Sequence, residues 1–132
     1  PALPYEEAAE LREPLAGLPI DLITLAAMTS RDRLPIILAD SQGFVYCVST
    51  TGVTGERGQL HQGLTGFLTD IKDITGTPRA VGFGISTPDQ ARSLKPHCEG
   101  VVIGSALVRR LLTEGMDSGM DFMEQMRKAL DV

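Results

Sequence analysis

The fold class that this sequence predicts is α/β, with a parallel sheet. Four near-continuous apolar runs alternate with segments whose apolar residues have helical spacing. Strands of a parallel sheet are buried on both faces, and each pair needs a crossover connection, which is usually a helix. Glycine and serine also gather directly after three of these runs. An open doubly wound sheet and a TIM-type barrel both fit this pattern.

Each element follows from apolar spacing and from the residues at its ends. Acidic residues begin the first helix, and Pro14 is expected to kink or shorten it because proline lacks the backbone N–H. Thr29 or Ser30 is predicted to cap a short helix that closes at Gly43. In chain order the first predicted elements are a helix over 4–18, a strand over 20–28, a short helix over 29–43, a strand over 44–49, a helix over 64–75 and a strand over 79–85.

The last third of the chain continues the same alternation. Ser86 or Thr87 is the predicted N-cap of the next helix, because both residue types accept hydrogen bonds from free N–H groups at a helix start. The final helix carries Phe122, Met126 and Leu130 on one apolar stripe. The elements predicted here are a helix over 86–95, a strand that begins at Gly100 and passes into a helix near Ser105, and a helix over 120–130.

Composition and charge exclude several classes of protein. At 132 residues, with 42% hydrophobic and 22% charged residues, the chain fits one globular domain. A net charge of −5 at pH 7 argues against nucleic acid or an anionic membrane as a partner. No apolar stretch reaches the roughly 20 residues that span a bilayer. Cys47 and Cys98 lack metal-site spacing, so we expect no metal and a buried free thiol at Cys47. The expected location is the cytoplasm, or the plastid stroma in a plant or alga.

The residues that follow three consecutive predicted strands allow two interpretations. Glycine lets backbone N–H groups approach a ligand closely, and a helix N-terminus adds a partial positive charge. Because the carboxyl ends of parallel strands share one edge, three such loops can meet at one phosphate group. The alternative is that these glycines only turn the chain. The residues concerned are Gly52, Thr54 and Gly55, then Gly82 and Gly84, then Gly104 and Ser105.

Several motifs resemble a known family. "GFVYCVSTTGVTG", "GFGISTPDQ" and "VVIGSALV", in that order, are similar to the C-terminal half of the tryptophan synthase α subunit. "PALPYEEAAELRE" resembles the segment after that family's fourth strand. The resemblance implies a TIM barrel, of which residues 1–132 would be a single C-terminal half-barrel from the fourth helix to the eighth. It implies strands five to eight, and the N-terminal half would be absent from this chain.

The resemblance also implies an activity and a phosphate site. The family cleaves indole-3-glycerol phosphate to indole and glyceraldehyde 3-phosphate, a retro-aldol reaction of tryptophan biosynthesis. By similarity, backbone N–H groups around Gly55, Gly84 and Gly104 would bind the substrate phosphate, together with the Ser105 hydroxyl. An ordinary helix N-cap is the alternative role for Ser105. The cofactor PLP would belong to the β-subunit partner, and this chain would hold none.

Further site residues follow from the same resemblance. The stretch 48–59 would be a mobile loop that closes over the substrate and brings Thr54 against a catalytic acid. Tyr46 would lie near the substrate and the catalytic groups. Phe83 and Val102 would contact the indole ring. The alternative is that the two aromatic side chains, Tyr46 and Phe83, only fill the core.

The acids of this chain are poorly placed for a retro-aldol cleavage. The reaction needs an acid to protonate the indole ring and a base to take the hydroxyl proton. In the family both carboxyl groups come from the half that this chain lacks. Asp21 and Glu99 precede strands, at the edge opposite the ligand. His61 and His97 have no acidic or nucleophilic partner at a useful position, so both histidines are expected to be solvated. The other acids considered fall on predicted helices, namely Asp70, Asp73 and Asp121.

Several functions and assemblies stay open. The chain is a fragment of a longer lyase, which an N-terminal Pro1 favours, or a half-barrel that stands on its own. Alone it would expose two sheet edges, so we expect it to pack against the missing N-terminal half or a second copy of itself. The candidate functions are an α subunit acting with a β subunit, a stand-alone indole-glycerol-phosphate lyase, and a catalytically silent phosphate-binding half-barrel. An isomerase on a similar barrel is disfavoured because no aspartate ends a predicted strand.

Overall fold

Helices and strands alternate along the chain, as the sequence predicts. The computed structural model describes residues 3–49 and 63–131. None of the helices in these two ranges is long and apolar enough to cross a membrane. The elements are α1 (Tyr5–Leu15), β1 (Ile23–Ala27), a 3₁₀ helix (Met28–Arg33), α2 (Leu34–Ile37), β2 (Gln42–Val48), α3 (Leu64–Ile74), β3 (Arg79–Gly82), α4 (Pro88–Leu94), β4 (Gly100–Val101), α5 (Ser105–Glu114) and α6 (Met116–Asp131).

The described strands form one parallel sheet in the order β1-β2-β3-β4. Each strand pairs with the next one along the chain, as expected when the intervening segments serve as crossovers. The register aligns Leu25, Tyr46, Ala80 and Gly100 in one row across the sheet. The predicted α/β class is therefore confirmed. Since the strands are parallel, their carboxyl ends lie along one edge.

One face of the sheet is covered by helices, and the other is half-open. Along β2, Val45 and Cys47 are fully buried, whereas Tyr46 and Val48 are only partly buried. Cys47 is the buried free thiol that the sequence predicts, and burial raises its pKa to about 12. Each large apolar side chain in this core contributes about 1.5–3 kcal/mol. The largest in the covering helices are Leu34, Leu64, Phe67, Leu68, Ile71 and Met126.

Helix α1 is shorter than its apolar spacing predicts. It ends at Leu15, directly after Pro14, and the backbone of Ala16 is extended. Pro14 lies in the last turn of α1, where its missing N–H removes one helical hydrogen bond, and the helix is shorter than predicted. At its start the helix is attached to the segment before β2, because the Tyr5 hydroxyl donates a hydrogen bond to Asp40 at 2.9 Å.

The segment between β1 and β2 differs from its prediction. Neither Thr29 nor Ser30 caps a helix, because the tighter 3₁₀ helix already begins at Met28 and contains both residues. Gly43 does not end a helix either, since it lies in β2 with a φ of 61°. There β2 places two extra residues between its pair with Ile23 and the next pair. Glycine suits this bulge because the left-handed region disfavours a Cβ.

An ion pair between a buried arginine and a half-exposed glutamate joins the amino ends of β3 and β4. Arg79 is only 5% exposed, and its Nε and Nη2 donate to Glu99 at 3.0 and 2.6 Å. Its Nη1 donates to the Leu68 carbonyl oxygen of α3 at 2.8 Å. The hydrogen bonds from the Arg79 side chain lower the pKa of Glu99 to about 2. Glu99 is thus a structural acid at the edge opposite the carboxyl ends of the strands.

Candidate functional site

A cavity of about 650 Å³ opens at the carboxyl ends of β2, β3 and β4. We call it the strand-end cavity. Ligands of parallel α/β folds bind at this edge because the loops that follow the strands converge there. The structure thus brings six of the predicted site residues together, although their roles in binding stay predictions. The six residues are Tyr46, Phe83, Gly84, Val102, Gly104 and Ser105.

Some predicted site residues fall beyond the described ranges. Of the loop predicted over 48–59, the structure describes only Val48 and Ser49. Thr54 and Gly55 lie outside the described residues, and so does His61.

Tyr46 is positioned by the glycine opposite its ring. A Cβ added at Gly82 would overlap the Tyr46 hydroxyl, so the absence of a side chain at Gly82 makes room for the ring. The ring also meets Phe83 edge to face, with centroids 5.9 Å apart and planes at 89°. Burial raises the pKa of Tyr46, so its phenol stays protonated at neutral pH. Tyr46 can therefore donate or accept a hydrogen bond in the cavity.

Phe83 departs from the strand that was predicted to contain it. The strand expected over 79–85 ends at Gly82, and Phe83 follows with a φ of 67°. Gly84 continues in the left-handed region with a φ of 75°. The Ser49 hydroxyl, at the end of β2, donates a hydrogen bond to the Phe83 carbonyl oxygen. Phe83 remains 56% exposed and lines the strand-end cavity, so its ring is accessible there, and both of its predicted roles stay predictions.

The start of α5 presents free backbone donors to the cavity. The N–H groups of Leu107 and Val108 donate to the Gly104 carbonyl oxygen at 3.0 and 3.1 Å. The N–H groups before them, of Ser105 and Ala106, have no acceptor within the helix. These groups carry the positive end of the helix dipole. The N-cap position is held by Gly104 without a side-chain hydrogen bond, so the alternative role of Ser105 as an ordinary N-cap is wrong.

Sequence reasoning misses three polar residues of the cavity, Ser86, Gln90 and Arg109, of which Ser86 is predicted only as a possible N-cap. The Gln90 side-chain oxygen accepts hydrogen bonds from the N–H groups of Ser86 and Thr87 at 2.8 and 3.1 Å. Thr87 is the N-cap of α4 and completes a capping box with Gln90, which its T-x-x-Q spacing would have indicated. Arg109 follows Ser105 by four residues, a spacing that places both on one helix face.

The described acids lie away from the strand-end cavity. No aspartate or glutamate is among the described residues that line it. Asp21 and Glu99 lie just before β1 and β4, at the other edge of the sheet. The remaining acids considered in the sequence lie on helices, with Asp70 and Asp73 on α3 and Asp121 on α6. Within the described ranges, no three histidine, cysteine or acidic side chains group as metal ligands would.

A comparison with family models identifies the family of the chain. Residues 1–130 match the model described as "Tryptophan synthase alpha chain". The chain belongs to the tryptophan synthase alpha chain family. The motifs that carry the resemblance in the sequence include the strand ends around the cavity. Membership in the tryptophan synthase alpha chain family therefore agrees with the observed arrangement of the strands.

Curated tryptophan synthase alpha chains are similar to most of this chain. The alpha chain of Geobacillus stearothermophilus is 50% identical over 111 residues, which are 84% of this chain and 41% of the relative. The alpha chain of Clostridium beijerinckii is 39% identical over 130 residues, which are 98% of this chain and 50% of the relative. The chain therefore spans about half the length of the curated relatives it matches, or somewhat less.

Solved tryptophan synthase structures share the fold. A Mycobacterium tuberculosis tryptophan synthase structure has a TM-score of 0.84 and 29% identity, covering 100% of this chain and 50% of that one. A structure of the tryptophan synthase a2b2 complex from Pyrococcus furiosus has a TM-score of 0.79 and 34% identity, covering 98% and 53%. Tryptophan synthase alpha subunits are TIM barrels, so the four described strands form part of a barrel. The predicted barrel class is confirmed.

Proposed function

We propose that this chain supplies the substrate-binding half of a carbon–carbon lyase. The enzyme cleaves indole-3-glycerol phosphate to indole and glyceraldehyde 3-phosphate in tryptophan biosynthesis. One observation carries the proposal: a chain of the tryptophan synthase alpha chain family has the carboxyl ends of three neighbouring strands around a single cavity. The chain belongs to a lyase family, and the function that its geometry supports best is substrate binding at the carboxyl edge of the sheet.

The proposed binding mode uses backbone donors at one end of the cavity and apolar side chains at the other. The substrate phosphate accepts hydrogen bonds from N–H groups around Gly84, Gly104 and Ser105, and Gly55 adds a further donor. A phosphate at a helix N-terminus gains from both the free N–H groups and the dipole. The indole ring packs against Phe83 and Val102, which line the same cavity.

The chemical step requires groups that the described part of this chain does not bring to the cavity. A base removes the proton of the hydroxyl on the glycerol carbon that is bonded to the indole ring. The bond between this carbon and the ring then breaks, and the carbon becomes the aldehyde of glyceraldehyde 3-phosphate. The electron pair returns to the indole ring carbon, which takes a proton from an acid. No described carboxylate lines the cavity. We infer that both carboxyl groups come from the other half of the barrel, and that Thr54 and Tyr46 support them.

The proposal includes partners that complete this half. Residues 1–132 form one C-terminal half-barrel, and its edges pair with an N-terminal half or with a second copy of the chain. The Pyrococcus furiosus relative is part of an a2b2 complex. By analogy, this chain acts with a β subunit that carries PLP, and it holds no cofactor itself. We infer a cytoplasmic location for the complex.

A second candidate function is a catalytically silent phosphate-binding half-barrel. The absence of carboxylates among the described lining residues favours this candidate, because binding needs only the amides at the strand ends. A stand-alone indole-glycerol-phosphate lyase, active without a β subunit, is a variant of the first candidate. These candidates differ in turnover and in the need for a partner.

Indole release from indole-3-glycerol phosphate distinguishes the candidates. The natural protein is assayed with and without an added tryptophan synthase β subunit, and binding of glycerol 3-phosphate is measured in parallel. Indole release that the β subunit stimulates supports the main proposal, and release without stimulation supports the stand-alone lyase. Binding without any indole release supports the silent half-barrel. A protein that neither binds nor cleaves would contradict both candidates.

A substitution at Gly104 tests the phosphate site directly. A Cβ at Gly104 meets no atom of the described residues within 4 Å, so Gly104→Val should fold while its side chain hinders a phosphate at the start of α5. We expect the affinity for glycerol 3-phosphate to fall at least about tenfold, which corresponds to 1.4 kcal/mol. Gly76→Val, where a Cβ is equally free, is the matched control. Unchanged phosphate affinity in Gly104→Val would defeat the assignment.

A further inference from the structure

We propose that Arg109 is a specificity-determining residue that makes the strand-end cavity selective for phosphate esters. The inference rests on the proposed function, since it concerns the same cavity. Its starting observation is that Arg109 is the one charged side chain among the described residues that line this cavity. All the other described lining residues are apolar, glycine, or uncharged polar residues.

The position of Arg109 fits a phosphate bound at the start of α5. Arg109 lies four residues after Ser105 in this helix, one turn from the free N–H groups, and both residues line the cavity. A phosphate monoester carries a charge of about −1.5 to −2 at neutral pH. The helix N-terminus offers only about half a positive charge. A guanidinium one turn away supplies the remaining charge and can donate two parallel hydrogen bonds to phosphate oxygens.

Arg109 is also available for such a ligand. No acidic side chain of the described residues forms a salt bridge with Arg109, and the residue is exposed. Its neighbour Arg110 shows the contrasting case. Arg110 donates to Glu114 at 3.4 Å and lies over the Phe122 ring at 4.6 Å, so its contacts are with α5 and α6. Two adjacent arginines thus differ in what they contact, and only one of them lines the cavity.

The consequence of this arrangement is a preference among ligands of similar shape. Backbone N–H groups can donate to a phosphate, a carboxylate or a hydroxyl oxygen alike. A full positive charge adds most to a doubly charged anion, and that contribution weakens as salt screens it. Arg109 therefore raises the affinity for glycerol 3-phosphate over that for glycerol or glycerate, and it gives phosphate binding its dependence on ionic strength.

Calorimetric binding of glycerol 3-phosphate to the natural protein, purified with any chain that accompanies it, tests this role. Arg109→Gln should weaken binding about tenfold, the factor expected for one lost charge-assisted hydrogen bond. Arg109→Lys should retain most of the affinity because the charge remains, although bidentate geometry is lost. Arg110→Gln is the matched control and should stay within about twofold. The affinity of the unsubstituted protein should fall more steeply between 50 and 300 mM salt than that of Arg109→Gln.

The outcomes separate this proposal from the proposed function. If the unsubstituted protein binds glycerol 3-phosphate and Arg109→Gln binds it equally well, the role of Arg109 is overturned and the phosphate site stands. An equal loss in Arg109→Gln and Arg110→Gln also overturns it, since general surface charge would then explain the effect. If the unsubstituted protein binds no glycerol 3-phosphate, the proposed function fails and the role of Arg109 fails with it. Melting temperatures of all variants show whether they remain folded.

Discussion

Phe83 combines a costly backbone conformation with an exposed aromatic ring. A left-handed conformation costs a residue that has a Cβ about 1–2 kcal/mol, and such costs persist where the surroundings hold the residue in place. Here the hydrogen bond from Ser49 fixes the Phe83 carbonyl, and the ring rests edge-on against Tyr46. Strain of this kind gathers at functional sites. The strained backbone and the exposed ring of Phe83 make this residue the one at which a test of indole binding is most direct.

Replacing Phe83 tests whether its ring recognises indole. Phe83→Leu retains the backbone strain and removes the aromatic contact, so the free energy of unfolding should fall by only about 0.5–1.5 kcal/mol. The KM for indole-3-glycerol phosphate should rise several-fold because a flat ring contact is lost. Binding of glycerol 3-phosphate, which lacks the indole, is the internal control and should not change. Equal weakening for both ligands would mean that Phe83 shapes the loop rather than contacting indole.

A second substitution tests the space that Gly82 leaves for Tyr46. Gly82→Ala forces the Tyr46 ring to move, since the new Cβ would overlap its hydroxyl, and we expect a loss of about 1–3 kcal/mol in unfolding free energy. Gly76→Ala is the matched control, because a Cβ there meets no atom within 4 Å in the part of the chain that the structure describes. Its effect should stay within about 0.5 kcal/mol. Denaturant unfolding of both variants gives the comparison. Equal stability of the two would show that Tyr46 adapts without cost.

Single residues of the site could be predicted only where a pattern marks them. Gly84 and Gly104 can be predicted as site residues because glycine is depleted within strands and marks the point where a buried strand ends. Gln90 belongs to a capping box that the sequence displays, yet its position in a cavity depends on packing. The left-handed φ of Phe83 leaves no trace in the sequence, because phenylalanine is normally an ordinary strand residue.

At the scale of elements, the alternation of helices and strands could be read from the sequence because buried strands are nearly continuous in apolar residues. The details between β1 and β2 could not. A 3₁₀ helix and an α-helix start from similar residues, so the Thr29 and Ser30 pattern did not distinguish them. Gly43 marks a bulge rather than a helix end, since glycine serves both purposes.

The ion pair at the amino ends of β3 and β4 predicts a specific pH dependence. The folded state lowers the pKa of Glu99 to about 2, so the stabilisation is fully present above the unfolded value of about 4.3 and is lost as pH falls towards 2. Glu99→Gln should lower the free energy of unfolding at pH 7 by about 1–2 kcal/mol, a figure reduced for the partial exposure of Glu99. Between pH 6 and pH 3, the free energy of unfolding of Glu99→Gln should fall by less than that of the unsubstituted chain.

An exposed pair provides the control for this measurement. The pair of Asp89 and Arg92 in α4 is largely solvated, with the Asp89 side chain 88% exposed. Asp89→Asn should therefore leave the pH dependence of unfolding unchanged. Urea unfolding at several pH values compares the three proteins. Parallel pH curves for the unsubstituted chain and Glu99→Gln would show that Glu99 does not couple to folding.

At the scale of the whole molecule, the described sheet has two unpaired edges and one half-open face. β1 and β4 each pair on one side only among the described strands, so each leaves backbone donors and acceptors along an open edge. The half-open face of the sheet carries Ile23 and Leu25, both 37% exposed. The chain spans about half the length of its relatives, which agrees with a sheet that lacks neighbouring strands. Neither open edge can be recognised from local sequence, because edge and central strands of a parallel sheet are equally apolar.

The unpaired edges and the half-open face predict that the chain associates when it is alone. We expect sedimentation velocity at micromolar concentration to give a mass above that of the monomer, because edge pairing and burial of the half-open face both favour a second partner. Leu25→Lys should shift the chain towards monomer by placing a charge on that face. Ile74→Lys, at a residue of similar exposure on the outside of α3, should leave association unchanged. A stable monomer at low concentration, or equal dissociation by both lysine variants, would show that the half-open face does not mediate association.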